Sequence, residues 1–154
     1  RMGSHRGEER HPHRTQKTIG AARRAGRQHR AVVAGQHARH AVAVSALERS
    51  SPQAARTAYA TGLQKWPQHR ISLLGLGNTA YAMGQRAEAA RAFEATTQAY
   101  PDFADAWNNL AQVRLDLGDT DAARDAARRA VALGGPRIAS YQQLHDTLER
   151  RPRP

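Results

Sequence analysis

Histidines near the start of the chain are the first residues whose type and spacing suggest chemistry. The chain has eight histidines, and six of them precede Val42. His37 and His40 stand three residues apart, which places both imidazoles on one face of a helix, where they could bind a metal ion. His11 and His13 are also close in sequence. Because the chain has no cysteine and no suitably placed carboxylate beside these histidines, we expect no metal site and no cofactor.

Serines and aspartates give no catalytic pattern either. Ser45, Ser50 and Ser51 lack the glycine-flanked turn that presents a nucleophilic serine. Four aspartates follow closely on one another: Asp116, Asp119, Asp121 and Asp125. They lack the glycine and the distal glutamate of a calcium loop, and their order is typical of turns and helix caps. The sequence therefore predicts a protein that is not an enzyme.

The composition favours an all-α fold. Hydrophobic residues make up 40% of the chain and aromatic residues only 5%, so much of the apolar content is alanine, the strongest helix former. No stretch alternates apolar and polar residues as a half-buried strand does. No apolar run approaches the roughly 20 residues of a membrane span. We expect a soluble protein of the cytoplasm or the periplasm, and the sequence does not decide between them.

The positive charge is unevenly distributed. The net charge is +11, but residues 1–35 carry nine Lys/Arg against two Glu, whereas residues 70–149 carry eight Lys/Arg against ten Asp/Glu. Residues 1–35 also contain no Leu, Phe, Tyr or Trp, so they can bury little. The sequence predicts a basic, flexible arm that opens with vector-derived residues, Arg1 to His5. A helix within Ile19 to Val33 is compatible with the composition, although two glycines weaken it.

The rest of the chain repeats itself every 34 residues. Positions in the segment that begins at Ser72 recur in the next one: Leu73 aligns with Trp107, Leu76 with Leu110, Gly77 with Ala111, Ala89 with Ala123, and Phe93 with Ala127. A fixed period of this size is typical of solenoids made of repeated helix pairs. These positions are therefore predicted to pack the repeats together.

The period and the turn signals predict three units and a cap. The units span residues 36–69, 70–103 and 104–136, a capping helix spans 137–150, and a tail spans 151–154. We expect helices over Ile71 to Met83, Arg86 to Ala99, Phe103 to Leu117, Asp121 to Leu133, and Arg137 to Arg150. Gly84 and Gly118 are predicted turns, Pro52 a helix start, and Asp102 and Asp119 helix caps.

At these positions the chain resembles the tetratricopeptide repeat (TPR) family. The family pattern is W-x2-L-G-x2-Y, then A-x3-F, then P, and two adjacent units carry most of it. The resemblance covers about residues 36–150 and implies a right-handed superhelix of antiparallel helix hairpins. The sequence departs from the family pattern at two positions: Arg114 stands where the family has Tyr, and Ala127 where it has Phe.

The resemblance also implies where a ligand binds. In this family the first helix of each repeat lines the concave surface, which here selects one set of residues: Leu74, Asn78, Tyr81, Asn108, Gln112, Leu115 and Gln142. The amides among them both donate and accept hydrogen bonds, which suits an extended peptide backbone. Leu74 and Asn108 stand where a lysine would grip a terminal carboxylate, so a clamp of that kind is not expected. The predicted function is a protein–protein interaction module.

Three alternatives stay open at this stage. The Arg-rich arm suits weak, unspecific binding of nucleic-acid phosphates, although no aromatic residues are interleaved for base stacking. The repeats also resemble bacterial segments that follow a papain-like cysteine peptidase domain, in which case they would dock a substrate or partner for that enzyme. Homo-oligomerisation is left open as well.

Overall fold

The computed structural model describes residues 12–152, and within this range the chain forms seven α-helices and no strand. In chain order the helices are α1 (Pro12–Ser50), α2 (Pro52–Lys65), α3 (Arg70–Ala82), α4 (Arg86–Ala99), α5 (Ala104–Asp116), α6 (Thr120–Leu133) and α7 (Ile138–Glu149). The all-α prediction is therefore confirmed. The chain divides into two units between residues 39 and 40, inside α1.

The first unit contributes the N-terminal part of α1. Its described arginine side chains are exposed: Arg23, Arg24, Arg27, Arg30 and Arg39. The predicted domain boundary at residue 36 falls inside this helix, which continues upstream to Pro12. The flexibility expected of residues 1–35 stays a prediction. Arg1 to His5, and the side chains of His11, His13 and His37, lie outside the described part of the chain.

In the second unit, residues 40–50 of α1 pack on α2. Val44, Ala55 and Tyr59 form a small buried cluster between them. The imidazole of His40, considered above as a metal ligand, instead packs edge-on against the ring of Trp66, with 5.7 Å between the ring centroids. The side chain of His40 also fills the space where Gly62 has no Cβ. This pair of helices is the first hairpin.

Glycine and proline set the limits of the helices much as predicted. Gly84 and Gly118 follow α3 and α5 with φ angles of +78° and +84°, which a glycine adopts without steric cost. Pro52 begins α2. Asp119 caps α6, where its carboxylate accepts from the N–H of Ala122 at 3.3 Å.

The predicted cap at Asp102 is wrong. Phe103 occupies the N-cap position of α5 and makes no side-chain cap bond. The physical reason is packing: the Phe103 ring is buried in the main core, so its backbone is held extended and the helix begins one residue later.

From α2 to α7 each helix packs on the next, and α5 also contacts α3 and α7. The first helices of successive hairpins are therefore neighbours, as stacking at a constant interval requires. Leu76 packs against the cluster of the first hairpin, and Leu110 lies in the main core, which α3 to α7 build together.

Small residues allow the helices to approach closely. Gly77 lies directly against the ring of Phe93, and a Cβ on this glycine would overlap the ring. Ala89, Ala111 and Ala123 are fully buried. Among the other residues predicted to pack the repeats, Leu73, Leu76 and Trp107 are only partly buried.

Candidate functional site

A groove runs over the first helices of the three hairpins. It has a volume of about 340 Å³ and is open to solvent on one side. Its walls come from the end of α1, from α3 with one ring of α4, and from α5: Glu48, Arg49, Asn78, Thr79, Tyr81, Ala82, Phe93, Asn109 and Gln112. We refer to it as the α1–α3–α5 groove.

Amide side chains connect α3 and α5 across this groove. The Nδ2 of Asn109 donates to the Oδ1 of Asn78 at 2.9 Å. Asn108, the preceding residue on α5, points its Nδ2 to the Oδ1 of Asn109 at 3.5 Å. Because an amide has two donor hydrogens and a carbonyl oxygen with two lone pairs, Asn78 and Asn109 keep hydrogen-bonding capacity after making the bond between them.

A second connection between the same helices centres on a carboxylate. The hydroxyl of Tyr81 donates to the Oδ2 of Asp116 at 2.6 Å, and the Nε2 of Gln112 donates to its Oδ1 at 3.0 Å. The Nε of Arg86 lies 3.2 Å from the same carboxylate, and its guanidinium stacks over the Tyr81 ring at 4.1 Å. This network fixes the tyrosine ring as one wall of the groove.

The network also shifts two pKa values. Partial burial raises the pKa of Asp116, but the hydrogen bonds from Tyr81 and Gln112 and the charge of Arg86 outweigh it, so the net pKa lies below the ordinary value. Burial, and then the hydrogen bond to Asp116, raise the pKa of Tyr81. At neutral pH the carboxylate is therefore charged and the phenol is neutral.

Two charged side chains lie on the α1 wall, and only one of them has a partner among the described residues. Glu48 accepts a hydrogen bond from the hydroxyl of Tyr59 at 2.7 Å, and burial followed by this bond raises the pKa of Tyr59. Arg49 is exposed and has no acidic partner within the described residues. It is the charge on this wall that remains available to a ligand.

The structure brings together three of the seven residues predicted for the ligand surface, namely Asn78, Tyr81 and Gln112. Leu74 is 9% exposed and belongs to the main core. Leu115 is partly buried and packs on the same core. Asn108 is partly buried outside the groove wall, and Gln142 is exposed on α7.

Sequence reasoning missed Asn109, Glu48 and Arg49. Asn109 aligns with Gly75 in the preceding unit, so the repeat period gave no reason to select it. Glu48 and Arg49 lie at the end of α1, in the unit where the family pattern is weakest. Asn109 lies three residues before Gln112, and residues at this spacing share a face of a helix, so a search for polar neighbours of Gln112 could have found it.

None of the groove residues forms a catalytic pair of nucleophile and base. In the part of the chain that the structure describes, no three His, Asp or Glu side chains cluster as a metal site would require. Over the same residues, no helix is long and apolar enough to cross a membrane.

Comparison with known proteins identifies the class of protein. Residues 40–82 and 74–138 match the tetratricopeptide repeat family, which is more than half of the chain. The chain therefore belongs to the tetratricopeptide repeat family. Proteins with this fold are generally non-catalytic interaction modules, and the match supports such a module here.

A solved structure shows the same fold. The Sgt2 TPR domain from Aspergillus fumigatus superposes with a TM-score of 0.67 at 22% sequence identity, covering 75% of this chain and 78% of that one. No curated protein matches the sequence. The link to a cysteine peptidase therefore stays a prediction.

Proposed function

We propose that this protein binds an extended segment of a partner protein in the α1–α3–α5 groove. The proposal depends on one observation. The amides of Asn78 and Asn109 are hydrogen-bonded to each other and line an open groove beside the Tyr81 ring. An extended peptide has a free N–H and C=O at every residue, and amide side chains can pair with both.

The charges of the groove favour an internal segment over a chain terminus. The carboxylate of Glu48 lines the groove and would repel a terminal carboxylate. Leu74 is in the core and Asn108 lies off the wall, so neither position holds a cation toward the groove. Arg49 is the available cation and suits an acidic side chain of the segment.

The proposal is tested by selecting ligands from a displayed library of random dodecapeptides on the full chain. Selected peptides are made with blocked ends, and their Kd values are measured by fluorescence anisotropy. We expect Asn109→Ala and Gln112→Ala to weaken binding by about 3- to 10-fold, since a hydrogen bond contributes about 0.5–1.5 kcal/mol.

Gln142→Ala is the matched control, because Gln142 is an exposed amide on α7 that does not line the groove. We expect it to bind the peptides as the parent does. Equal affinities for all four proteins, or binding that needs a free C-terminal carboxylate, would contradict the proposal.

A second function is favoured by one observation. Between Arg10 and Glu48 the chain contains no acidic residue, and Arg23, Arg24, Arg27 and Arg30 are exposed on α1. Arginine pairs with phosphate oxygens through two parallel hydrogen bonds. We propose that this stretch binds nucleic-acid phosphates without sequence preference.

A salt titration with a fluorescent 20-mer of single-stranded DNA tests this second function. Releasing counterions from each contacted phosphate should give a log–log slope of about −0.7 per contact, which falls when the four arginines become glutamine. Absence of binding at low salt, or a slope that the four substitutions leave unchanged, would rule it out.

A further inference from the structure

A second groove lies elsewhere on the repeat domain, between α4 and α6 and above α5. Its volume is about 480 Å³. Its surface is mostly apolar and includes Trp107, Leu110, Ala122 and Ala126. We refer to it as the α4–α6 groove. None of its residues belongs to the α1–α3–α5 groove.

The preceding hairpins show why this space is empty. Between α2 and α4, the guanidinium of Arg56 forms an ion pair with Glu88 and a 3.1 Å hydrogen bond to Gln85. One repeat later, the positions of Arg56 and Glu88 are occupied by Ala90 and Ala122. Alanine cannot reach across the gap, so these two positions form no ion pair between α4 and α6.

The indole of Trp107 contributes apolar surface to this groove. Its Nε1 donates to the carbonyl oxygen of Pro101 at 2.9 Å, so the polar atom of the ring is already satisfied. The ring therefore presents only apolar surface to the groove. An aromatic ring held in this way offers contact area at little entropic cost.

The charges on the rim are paired, with one exception. Arg114 pairs with Glu94 and with Asp119, the latter at 3.0 Å. Asp125 pairs with Arg128 at 3.2 Å. Arg129 is exposed and has no acidic partner among the residues that the structure describes.

We propose that the α4–α6 groove is a second docking site, for a partner segment that inserts an apolar side chain flanked by an acidic residue. The apolar side chain lies on Ala122 and the Trp107 ring, which removes their exposed apolar surface from water. The acidic residue pairs with Arg129, the one rim cation without an internal partner in the described residues. The alanines that leave the groove open favour an apolar side chain, and the unpaired arginine beside them favours an acidic one.

A subtractive selection tests this site. Random dodecapeptides displayed on phage are bound to the full chain after depletion on its Ala122→Leu variant, whose larger side chain fills the groove. Enriched peptides should carry an apolar residue next to Asp or Glu. Their Kd should rise at least tenfold on Ala122→Leu and on Arg129→Glu.

Arg91→Glu is the matched control, since it makes the same charge change at an exposed arginine of α4 that does not line the groove. It should leave the Kd within twofold, and replacing the acidic peptide residue with lysine should restore binding to Arg129→Glu. Enriched peptides that bind Arg129→Glu as well as the parent, or a selection that yields none, would overturn the proposal. If Ala122→Leu has a lower melting temperature than the parent, the peptide Kd values for the surface variant Arg129→Glu still test the proposal.

Discussion

At the scale of single residues, two glycines on α3 let the repeat pack on both sides. Gly75 lies against the ring of Tyr59 from the preceding hairpin, and Gly77 lies against the ring of Phe93 from its own. Both rings are almost completely buried. A Cβ at either position would overlap ring atoms, so each glycine is required by its neighbour and not by its backbone angles.

Gly77→Leu should lower the free energy of unfolding by about 1–3 kcal/mol, because the new side chain must displace the Phe93 ring. Urea unfolding followed by circular dichroism measures this. Ala95→Leu, at an exposed position of the same hairpin, is the control and should change stability by less than about 0.5 kcal/mol. Coinciding curves for Gly77→Leu and the parent would show that the close packing at α3 is wrong.

The pKa of Asp116 predicts an acid dependence of stability. Its folded-state pKa is lowered, so the charged carboxylate stabilises the fold above the unfolded pKa, and this contribution is lost as pH falls through the folded value. As pH falls below the unfolded pKa of an aspartate, Asp116→Asn should therefore lose less stability than the parent. Thermal melts across this range measure the difference, and parallel losses would contradict the network around Tyr81.

The individual residues of the site were the hardest feature to predict from the sequence. A helical projection from the family pattern selected Asn78, Tyr81 and Gln112, and these three residues line the α1–α3–α5 groove. Asn109 was not selected, because its partner one period earlier is Gly75, and a repeat argument finds only positions that resemble each other. The helical projection predicted that Leu74 would face the groove, but its side chain packs in the main core.

At the scale of helices, prediction succeeded wherever a backbone requirement marks the boundary. The limits predicted for α4 are those observed, Arg86–Ala99, because Gly84 precedes the helix and Pro101 follows it. The N-cap of α5 was wrong because burial of Phe103 decides it, and burial is not visible in local sequence. The length of α1 was missed because a segment without large apolar residues gives no periodic signal.

The last helix, α7, is held in place by hydrogen bonds to its neighbours. The buried hydroxyl of Tyr141 donates to the Oδ1 of Asp105 on α5 at 2.6 Å. The buried Arg124 of α6 donates to the carbonyl oxygens of Leu148 and Arg151 at 3.2 and 2.8 Å, which satisfies the end of α7. These bonds suit a helix that closes the stack.

Tyr141→Phe should lower the free energy of unfolding by about 1.5–3 kcal/mol, the usual value for a hydrogen bond to a charged group. Burial, and then the bond to Asp105, raise the pKa of Tyr141 to about 12. The neutral phenol therefore stabilises the fold below the unfolded pKa near 10, and this contribution is lost as pH rises toward 12.

Chemical unfolding at neutral pH and at alkaline pH measures both effects. The difference between Tyr141→Phe and the parent should shrink as pH rises through that window. Thr147→Val, at an exposed position of the same helix, is the control for a lost hydroxyl. A constant difference at every pH would show that the phenol bond does not hold the cap.

At the scale of the repeat domain, the stacked hairpins place different side chains at equivalent positions. The family pattern fixes the small residues and rings that join the helices, and these recur every 34 residues. The surfaces do not recur: amides line the α1–α3–α5 groove, whereas alanines and an indole line the α4–α6 groove. Repetition therefore explains why the domain folds, and in the two proposed binding sites the specificity would come from the departures from repetition.

The most direct test of the central claim is to map a selected, end-blocked peptide on the full chain by two-dimensional NMR. We predict that the side-chain amide signals of Asn78, Asn109 and Gln112 shift on titration and that the signals of Gln142, on α7, stay in place. Shifts that spare these three amides and fall on other surfaces would contradict the account.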